Sequence, residues 1–319
     1  VTQAPAIIRA ERRPRLSAAE LIHTVVDPGS WHSWDEPVTV PAGTAPKYAA
    51  ELAQARERTG LDESVVTGEG RIRGRRVAVI ACEFAFLAGS IGVAAAERLT
   101  RAVERATAEG LPLLASPASG GTRMQEGTLA FVQMVKVAGA VADHKAAGQP
   151  YLVYLRHPTT GGAFASWGSL GQLTLAEPGA LIGFLGPRVF QALHGKPFPG
   201  GVQVAENLHA RGLVDAVVPP DRLADTVARA LSVMCAPRAV LRPVDTAVDG
   251  LIHDSPAAES VRRTRRPERP GVQAFLDVAA GDLTPLRGTG AGETDPGLLL
   301  ALARIGHAPC VLLGQDRDA

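Results

Sequence analysis

Cysteine is scarce in this chain: Cys82, Cys235 and Cys310 are the only three in 319 residues, and no two stand at CxxC spacing. That excludes a disulfide framework and a cysteine-built zinc site, and it fits a reducing compartment. An excess of one charge sign is missing too. The 33 basic and 32 acidic side chains leave a formal +1, so no overall field recruits nucleic acid or anionic lipid. Aromatic residues make up 4% of the chain, too few for base-stacking platforms. No apolar run approaches the roughly 20 residues that cross a bilayer. No N-terminal stretch combines a basic region, an apolar run and a small-residue cleavage site. The eight histidines are scattered, with no pair at metal-ligand spacing. The expectation is a cytoplasmic protein with no metal and with neither a membrane nor a nucleic-acid partner.

What is present is a 46% hydrophobic sequence rich in glycine (34 residues), long enough for one large domain or two modest ones. Residues 1–50 read as a basic, proline-punctuated extension with a helix over Ala18–Val26 and a loop Trp31-His-Ser-Trp34 that anchors by packing. Residues 51–235 read as the main domain, entered through a helix over Lys47–Thr59. A hairpin over 68–80 turns at Arg73-Gly74. Strands at 77–82, 111–116, 151–155, 173–176, 181–184 and 213–217 alternate with helices at 92–109, 126–147, 163–170, 187–193, 204–210 and 223–235. Apolar strands alternating with helices imply an α/β fold with largely parallel pairing. A boundary belongs near Ala236. Residues 236–270 form an Arg- and Pro-rich linker containing Arg238, Arg242, Arg262, Arg263, Arg265, Arg266 and Arg269, and a glycine-rich run spans Gly281–Gly297. Residues 271–319 carry a helix over 272–280 and a hairpin, 298–304 with 310–313, turning at Gly306-His307. A lone β pair needs a surface to rest on.

Two motifs set a diglycine between a strand-like and a helix-like run: Ser119-Gly-Gly-Thr-Arg-Met-Gln-Glu126 and Thr160-Gly-Gly-Ala-Phe-Ala-Ser166. Glycine pairs at such junctions leave backbone N–H groups bare at a helix start, where they can face an oxygen acquiring negative charge. The competing reading is a pair of tight strand-to-helix turns and nothing more. Ala88-Gly-Ser-Ile-Gly92 opens another helix and either approaches a phosphate-bearing ligand or is capped simply by Ser90. Arg123, in a helix first turn, opposes the helix dipole and so asks for an anionic partner, either a ligand or a salt bridge to Glu126 or to a partner chain. Arg188 reads the same way. Cys82 reads as inert core, His157 as a loop residue and the 262–269 arginines as a solvated linker.

These motifs, together with Cys82-Glu-Phe-Ala-Phe-Leu-Ala-Gly-Ser-Ile-Gly92 and Ala176-Glu-Pro-Gly-Ala-Leu-Ile-Gly-Phe-Leu-Gly-Pro-Arg188, resemble the carboxyltransferase β subunit of bacterial acetyl-CoA carboxylase over roughly Leu21–Cys235. The resemblance implies a crotonase-like (ClpP/crotonase) α/β spiral of repeated β-β-α units. It implies carboxyl transfer from carboxybiotin, borne on a separate carrier, to the α carbon of acetyl-CoA, giving malonyl-CoA for fatty-acid or polyketide synthesis. Gly161, Gly162 and Ala163 would hold the thioester oxygen, with Gly120 and Gly121 completing the pocket; Gly89, Ser90, Gly92 and Arg123 would face the CoA. The four-cysteine zinc ribbon common in such subunits has no counterpart in residues 1–40. The segment Ser260-Val-Arg-Arg-Thr-Arg-Arg-Pro-Glu-Arg-Pro270 and the sequence Ala303–Gln315 look like the opening of the partner α subunit. Implied partners are an acyl-CoA, an α-type chain or a second copy, a biotin carboxyl carrier protein and a biotin carboxylase. Two competing readings share these motifs: a malonyl-thioester decarboxylase that needs no biotin, and a non-catalytic partner of a carboxyltransferase complex.

Overall fold

The computed structural model describes residues 15–40, 43–237, 256–266, 268–287 and 292–316; the side chain of Arg188 is outside the description. The basic start over 1–14, the linker over 238–255 with Arg238 and Arg242, part of the glycine-rich run and the last three residues lie outside these.

In chain order the elements are α1 (Ala18–Val25), β1 (His32–Ser33), α2 (Pro46–Thr59), β2 (Val65–Ile72), β3 (Arg75–Cys82), α3 (Val93–Ala108), β4 (Leu113–Ser116) and α4 (Gly127–Ala146). They continue with β5 (Tyr151–Leu155), β6 (Thr159–Thr160), α5 (Gly161–Ala163) running into a π-helical turn over Phe164–Gly168, β7 (Leu173–Ala176), β8 (Ile182–Gly183) and α6 (Pro187–His194). The chain then forms α7 (Ala205–Ala210), β9 (Ala216–Val217), α8 (Pro220–Met234), α9 (Ala257–Thr264), α10 (Val272–Ala279), β10 (Ala280–Leu286), β11 (Leu298–Ile305) and β12 (Ala308–Gln315). Local signals set several boundaries. Ser17 and Glu20 form a reciprocal capping box on α1, and Pro46 opens α2 while Gly60 closes it at φ 70°.

The main sheet runs β1-β2-β3-β4-β5-β7-β9, antiparallel through β3 and parallel from there on. Its central strands are buried on both faces, which is why they read as continuous apolar runs. Alternate residues divide between two cores. Ala78, Ile80, Leu113, Ala115 and Val153 meet Leu99, Val103, Val137 and Val141 from α3 and α4. Val77, Val79, Leu114, Leu152 and Tyr154 meet Leu21, Val25, Leu223, Val227 and Leu231 from α1 and α8.

Loops leaving the carboxyl ends of the parallel strands form a second, thin layer. Ile91 bridges Thr122, Ser119 bridges Thr159, and β6 pairs with β8, all in parallel. Both diglycines lie in this layer, at the end of the sheet where α/β folds place their ligands.

The C-terminal hairpin has three strands rather than two, in the order β10-β11-β12. Its resting surface is α8, through Leu302 and Leu286, which join the α1–α8 core. Thr284, within the glycine-rich run, is a buried strand residue. The hairpin repeats the one at the start of the domain. All four strands have eight residues, Leu298 pairs with Gln315 as Val65 pairs with Cys82, and Ile305 with Ala308 as Ile72 with Arg75. An Arg-Ile dipeptide ends the first strand in each, Arg71-Ile72 and Arg304-Ile305. The expected linker contains a helix, α9, whose Glu259 pairs with Arg262 and Arg263 of the same helix and with Arg266 just beyond it.

Candidate active site

The first diglycine turn follows β4 and the second follows β5, and the two touch. A side chain on Gly121 would stand 3.5 Å from the Cα of Gly161, and one on Gly161 would stand 3.3 Å from the Cα of Gly121. Gly161 has φ 64° and Gly121 φ 112°, so both positions also need glycine for their backbone. Thr159 anchors the second turn: its hydroxyl lies 2.9 Å from the Pro117 carbonyl and 2.8 Å from that of Arg156, and its N–H donates to Leu181. Thr160 donates its N–H to the Ser119 carbonyl at 2.9 Å, tying one turn to the other.

The five candidate amides divide into two sets. Gly120 donates to the Ala88 carbonyl (2.9 Å), Gly121 to Ser119 Oγ (3.0 Å) and Gly161 to the Phe184 carbonyl (3.0 Å). Those three are structural. The N–H groups of Gly162 and Ala163, in the first turn of α5, have no acceptor among the described residues. Gly162 is partly exposed and Ala163 fully buried, so the pair stands at the edge of the core on a fixed base. Two adjacent amides at a helix start are suited to an oxygen that gains charge during reaction. Met134 of α4 flanks them, since a side chain on Gly162 would stand 3.5 Å from its Cγ; Ser166 Oγ bonds the Gly162 carbonyl at 2.6 Å.

The Leu87–Gly92 loop adjoins the first turn. Leu87, Ala88 and Gly89 have φ of 44°, 57° and 63°, a left-handed run that costs about 1–2 kcal/mol for each residue bearing a Cβ. Such strain persists only where the surroundings over-determine it. Gly89 packs so tightly on the Ala118 carbonyl that no side chain fits, and Gly92 faces the ends of the Glu126 and Arg123 side chains. Gly92 is the N-cap of α3, and Glu126, not Ser90, caps that helix by accepting the Val93 N–H.

Arg123 turns inward. It is 1% exposed and forms an ion pair with Glu63, itself 2% exposed. It also reaches Ser90 Oγ (3.3 Å), the Ser90 carbonyl (2.7 Å), Ser64 Oγ (3.2 Å) and the Tyr48 hydroxyl (3.2 Å), with Glu126 at 3.5 Å. Burial opposes its charge, yet the hydrogen bonds and charge of Glu63 outweigh that and hold its pKa above the ordinary arginine value. Tyr48 is pushed up to about 12 by burial and by its hydrogen bond to Glu126. Ser90 and Arg123 thus satisfy each other. Sequence reasoning identified Arg123 and Glu126 but missed Glu63 and Tyr48, which stand far away along the chain and in no motif.

A second buried cation lies behind the strand ends. Arg156, 2% exposed, donates to the carbonyls of Leu16 (3.0 Å), Cys82 and Ser116 (3.2 Å) and to Ser116 Oγ (2.9 Å), joining β3, β4 and the chain before α1. Burial lowers its pKa. Burial also pushes the Cys82 thiol up to about 11, as an inert core residue requires. His157 Nδ1 accepts the Leu181 N–H at 3.0 Å, a loop-fixing bond. A cavity of about 580 Å³ lies beside Arg123, Tyr48 and Glu126, walled by Val38, Leu52, Val93 and Leu129; the Gly162–Ala163 amides are not among its lining residues. No group of three His, Cys, Asp or Glu side chains suited to a metal occurs among the described residues. None of the helices there is long and apolar enough to cross a membrane.

Carboxyl transferase domains match residues 10–210. The probable biotin-dependent acyl-coenzyme A carboxylase beta3 subunit of Mycobacterium tuberculosis (strain ATCC 25618 / H37Rv) is 61% identical over 305 residues, covering 95% of this chain and 60% of that protein. This chain therefore spans about three-fifths of that relative's length. The acetyl-coenzyme A carboxylase carboxyl transferase subunit beta of Synechococcus sp. (strain JA-3-3Ab) is 45% identical over 226 residues, 68% of this chain and 71% of the relative. Among solved structures, a transcarboxylase 12S hexamer with methylmalonyl-coenzyme A bound superposes with TM-score 0.69 at 22% identity, over 94% of this chain and 57% of that one. A Pseudomonas malonate decarboxylase hetero-dimer gives 0.54 at 23%, over 78% and 94%. The shared architecture is the crotonase-like α/β fold of carboxyltransferases.

Proposed function

The chain belongs to the carboxyl transferase domain family, and on that premise we propose that it is the carboxyltransferase component of a biotin-dependent acyl-CoA carboxylase. Its substrate in this reading is acetyl-CoA or a close relative, and its product malonyl-CoA or the corresponding homologue. The observation that carries the proposal is the pair of unpartnered amides on Gly162 and Ala163, held by a turn that leans on Gly121. The thioester oxygen accepts from these two donors. When the α carbon loses its proton, charge moves onto that oxygen and the bonds strengthen. Carboxybiotin, brought by its carrier, supplies the carboxyl group and the ureido nitrogen that accepts the proton. The chain's own task is to bind, orient and keep dry, and backbone donors suit it because they need no protonation state of their own. Gly120 and Gly121 act as the facing wall, and the Ala88–Gly92 loop as the flank toward the CoA.

A second chain completes the site in this reading. Phe131, Val132 and Val135 lie exposed on α4, the helix whose Met134 flanks Gly162, and exposed apolar side chains grouped on one face mark an interaction surface. The 271–319 piece is proposed as the opening of an α-type half. The repeated hairpin supports this, since the first copy, β2–β3, begins a crotonase-like sheet by taking β4 in parallel on β3. The 51–235 segment is then the β-type domain and 236–270 its connection to that half.

The test reconstitutes the chain and an α-type partner chain with a biotin carboxylase, a biotinylated carrier, ATP and labelled bicarbonate. Label entering malonyl-CoA from acetyl-CoA, faster than into products from longer acyl-CoAs, is the expected result. The decarboxylase reading uses the same two amides, and carbon dioxide released from malonyl-CoA without biotin would favour it instead.

A further inference from the structure

The strained Leu87–Gly89 loop and the first diglycine turn are built as one piece. Ala88 accepts the Gly120 N–H; Ile91 donates to the Gly121 carbonyl and accepts the Arg123 N–H, each at 2.9 Å. Behind this piece, the Arg123 guanidinium grips both carbonyl and hydroxyl of Ser90 on one side and Glu63 and Ser64, at the start of β2, on the other. Its outer edge meets Tyr48 from α2, whose hydroxyl donates to Glu126, and Glu126 fixes the first amide of α3. Three segments distant in sequence therefore converge on one guanidinium. A planar fork of donors can satisfy that set at once, and a lysine ammonium cannot.

We propose that Arg123, clamped by Glu63, is a positioning residue: it holds the left-handed 87–89 loop and the Gly120–Gly121 turn in register, so that the Gly161–Gly162 turn resting on Gly121 presents its free amides at a fixed place. This rests on the function proposed above. Arg123 touches no substrate in this scheme and acts through the backbone alone. Because Arg123 and Glu63 line the cavity of about 580 Å³, deleting the guanidinium leaves a space open to small solutes.

The experiment compares wild type with Arg123→Ala and Glu63→Gln in the reconstituted carboxylase, with and without guanidinium ion at about 20 mM, far below the molar concentrations at which guanidinium unfolds proteins. For Arg123→Ala, kcat is expected to fall about a hundredfold, as for a turn misplaced by about 1 Å, while KM for the acyl-CoA stays within about threefold. Hydrogen exchange should accelerate in peptides covering 84–92 and 118–126 and remain unchanged in β5. Guanidinium should restore slow exchange and part of kcat, and urea should restore neither. The near-isosteric Glu63→Gln keeps the fold if Arg123→Ala does not, and it should show the same loss confined to kcat. A normal kcat in either folded variant, or slow exchange in both peptides after the substitution, overturns the proposal. If wild type transfers no carboxyl group, the functional reading fails, and the exchange measurement still decides whether Arg123 holds the loop.

Discussion

Replacing Ala163 with proline removes one of the two free donors and little else. Ala163 has φ −63°, which proline's ring reproduces at about −65°, and its N–H has no acceptor among the described residues to lose. The position lies in the first turn of α5, where a missing N–H breaks no helical bond. The added ring atoms enter a fully buried position, so overpacking of about 1–3 kcal/mol is the cost to the fold, less than the roughly 5–15 kcal/mol by which domains are stable. The effect on chemistry is larger: loss of one preorganised oxyanion donor is worth about 2.7–4 kcal/mol, or 10²- to 10³-fold in kcat. KM should change little, since the donor acts mainly on charge that develops after binding. Ala163→Ser keeps the amide and should keep kcat within about fivefold, because it removes no donor. The assay is acyl-CoA-dependent carboxyl transfer in the reconstituted enzyme, with thermal unfolding as the check on folding. A folded Ala163→Pro enzyme working at the wild-type rate would refute the assignment of these amides.

Other consequences follow from the same geometry. Gly161→Ala forces a Cβ at φ 64° to within 3.3 Å of Gly121, so unfolding should cost about 1–2 kcal/mol less and transfer should slow about a hundredfold, read by denaturant midpoints and steady-state rates. Phe131→Glu on α4 should leave monomer stability within about 0.5 kcal/mol yet weaken assembly about 10- to 100-fold, measured by analytical ultracentrifugation; an unchanged assembly would remove α4 from the interface. His144 is enclosed between Thr107 and the Pro150 carbonyl, and burial lowers its pKa in the folded state. Above about pH 6.5 both states are neutral there; below it the unfolded chain takes up a proton that the folded chain refuses. Stability should therefore fall as pH drops from about 6.5, by at most about 1.4 kcal/mol per pH unit, and His144→Gln should flatten that slope in urea titrations.

The fold was legible wherever the pattern was local. Apolar strands buried on both faces, the Arg73-Gly74 turn, the helices read over Lys47–Thr59 and 223–235 and the hairpin of 298–304 with 310–313 all stand in the structure near the positions read from sequence. Elements defined by partners were harder. β1 and β6 have two residues each and exist only through pairing, and β10 hides in a glycine-rich run because its ladder with β11, not its propensity, makes it a strand. At the site, the diglycines announced themselves, because one glycine of each pair, Gly121 and Gly161, takes a left-handed backbone that residues with a Cβ rarely adopt. Which amides were free was invisible. Gly120, Gly121 and Gly161 are occupied by Ala88, Ser119 and Phe184, contacts that only the folded second layer creates. Ser90 and Arg123 carried the right chemistry for an anion, and the fold turned them toward each other.

This arrangement has a physical logic. An amide that must receive a transient charge gains from being stiff and from having no competing partner, and a loop alone supplies neither. Here the ionisable groups are set behind the turns. Arg123–Glu63 ties the first turn to β2, and Arg156 ties the ends of β3 and β4 together beneath the second. Buried charges of this kind add little net stability, since desolvation cancels most of the attraction, but they make one arrangement far better than its neighbours. Glu63→Leu with Arg123→Met separates the two roles. Replacing the pair by apolar residues of similar volume should leave the unfolding free energy within about 1–4 kcal/mol of wild type, in either direction, while exchange at 84–92 rises and transfer falls. If the apolar pair preserves transfer, shape alone positions the turn and the charges are dispensable.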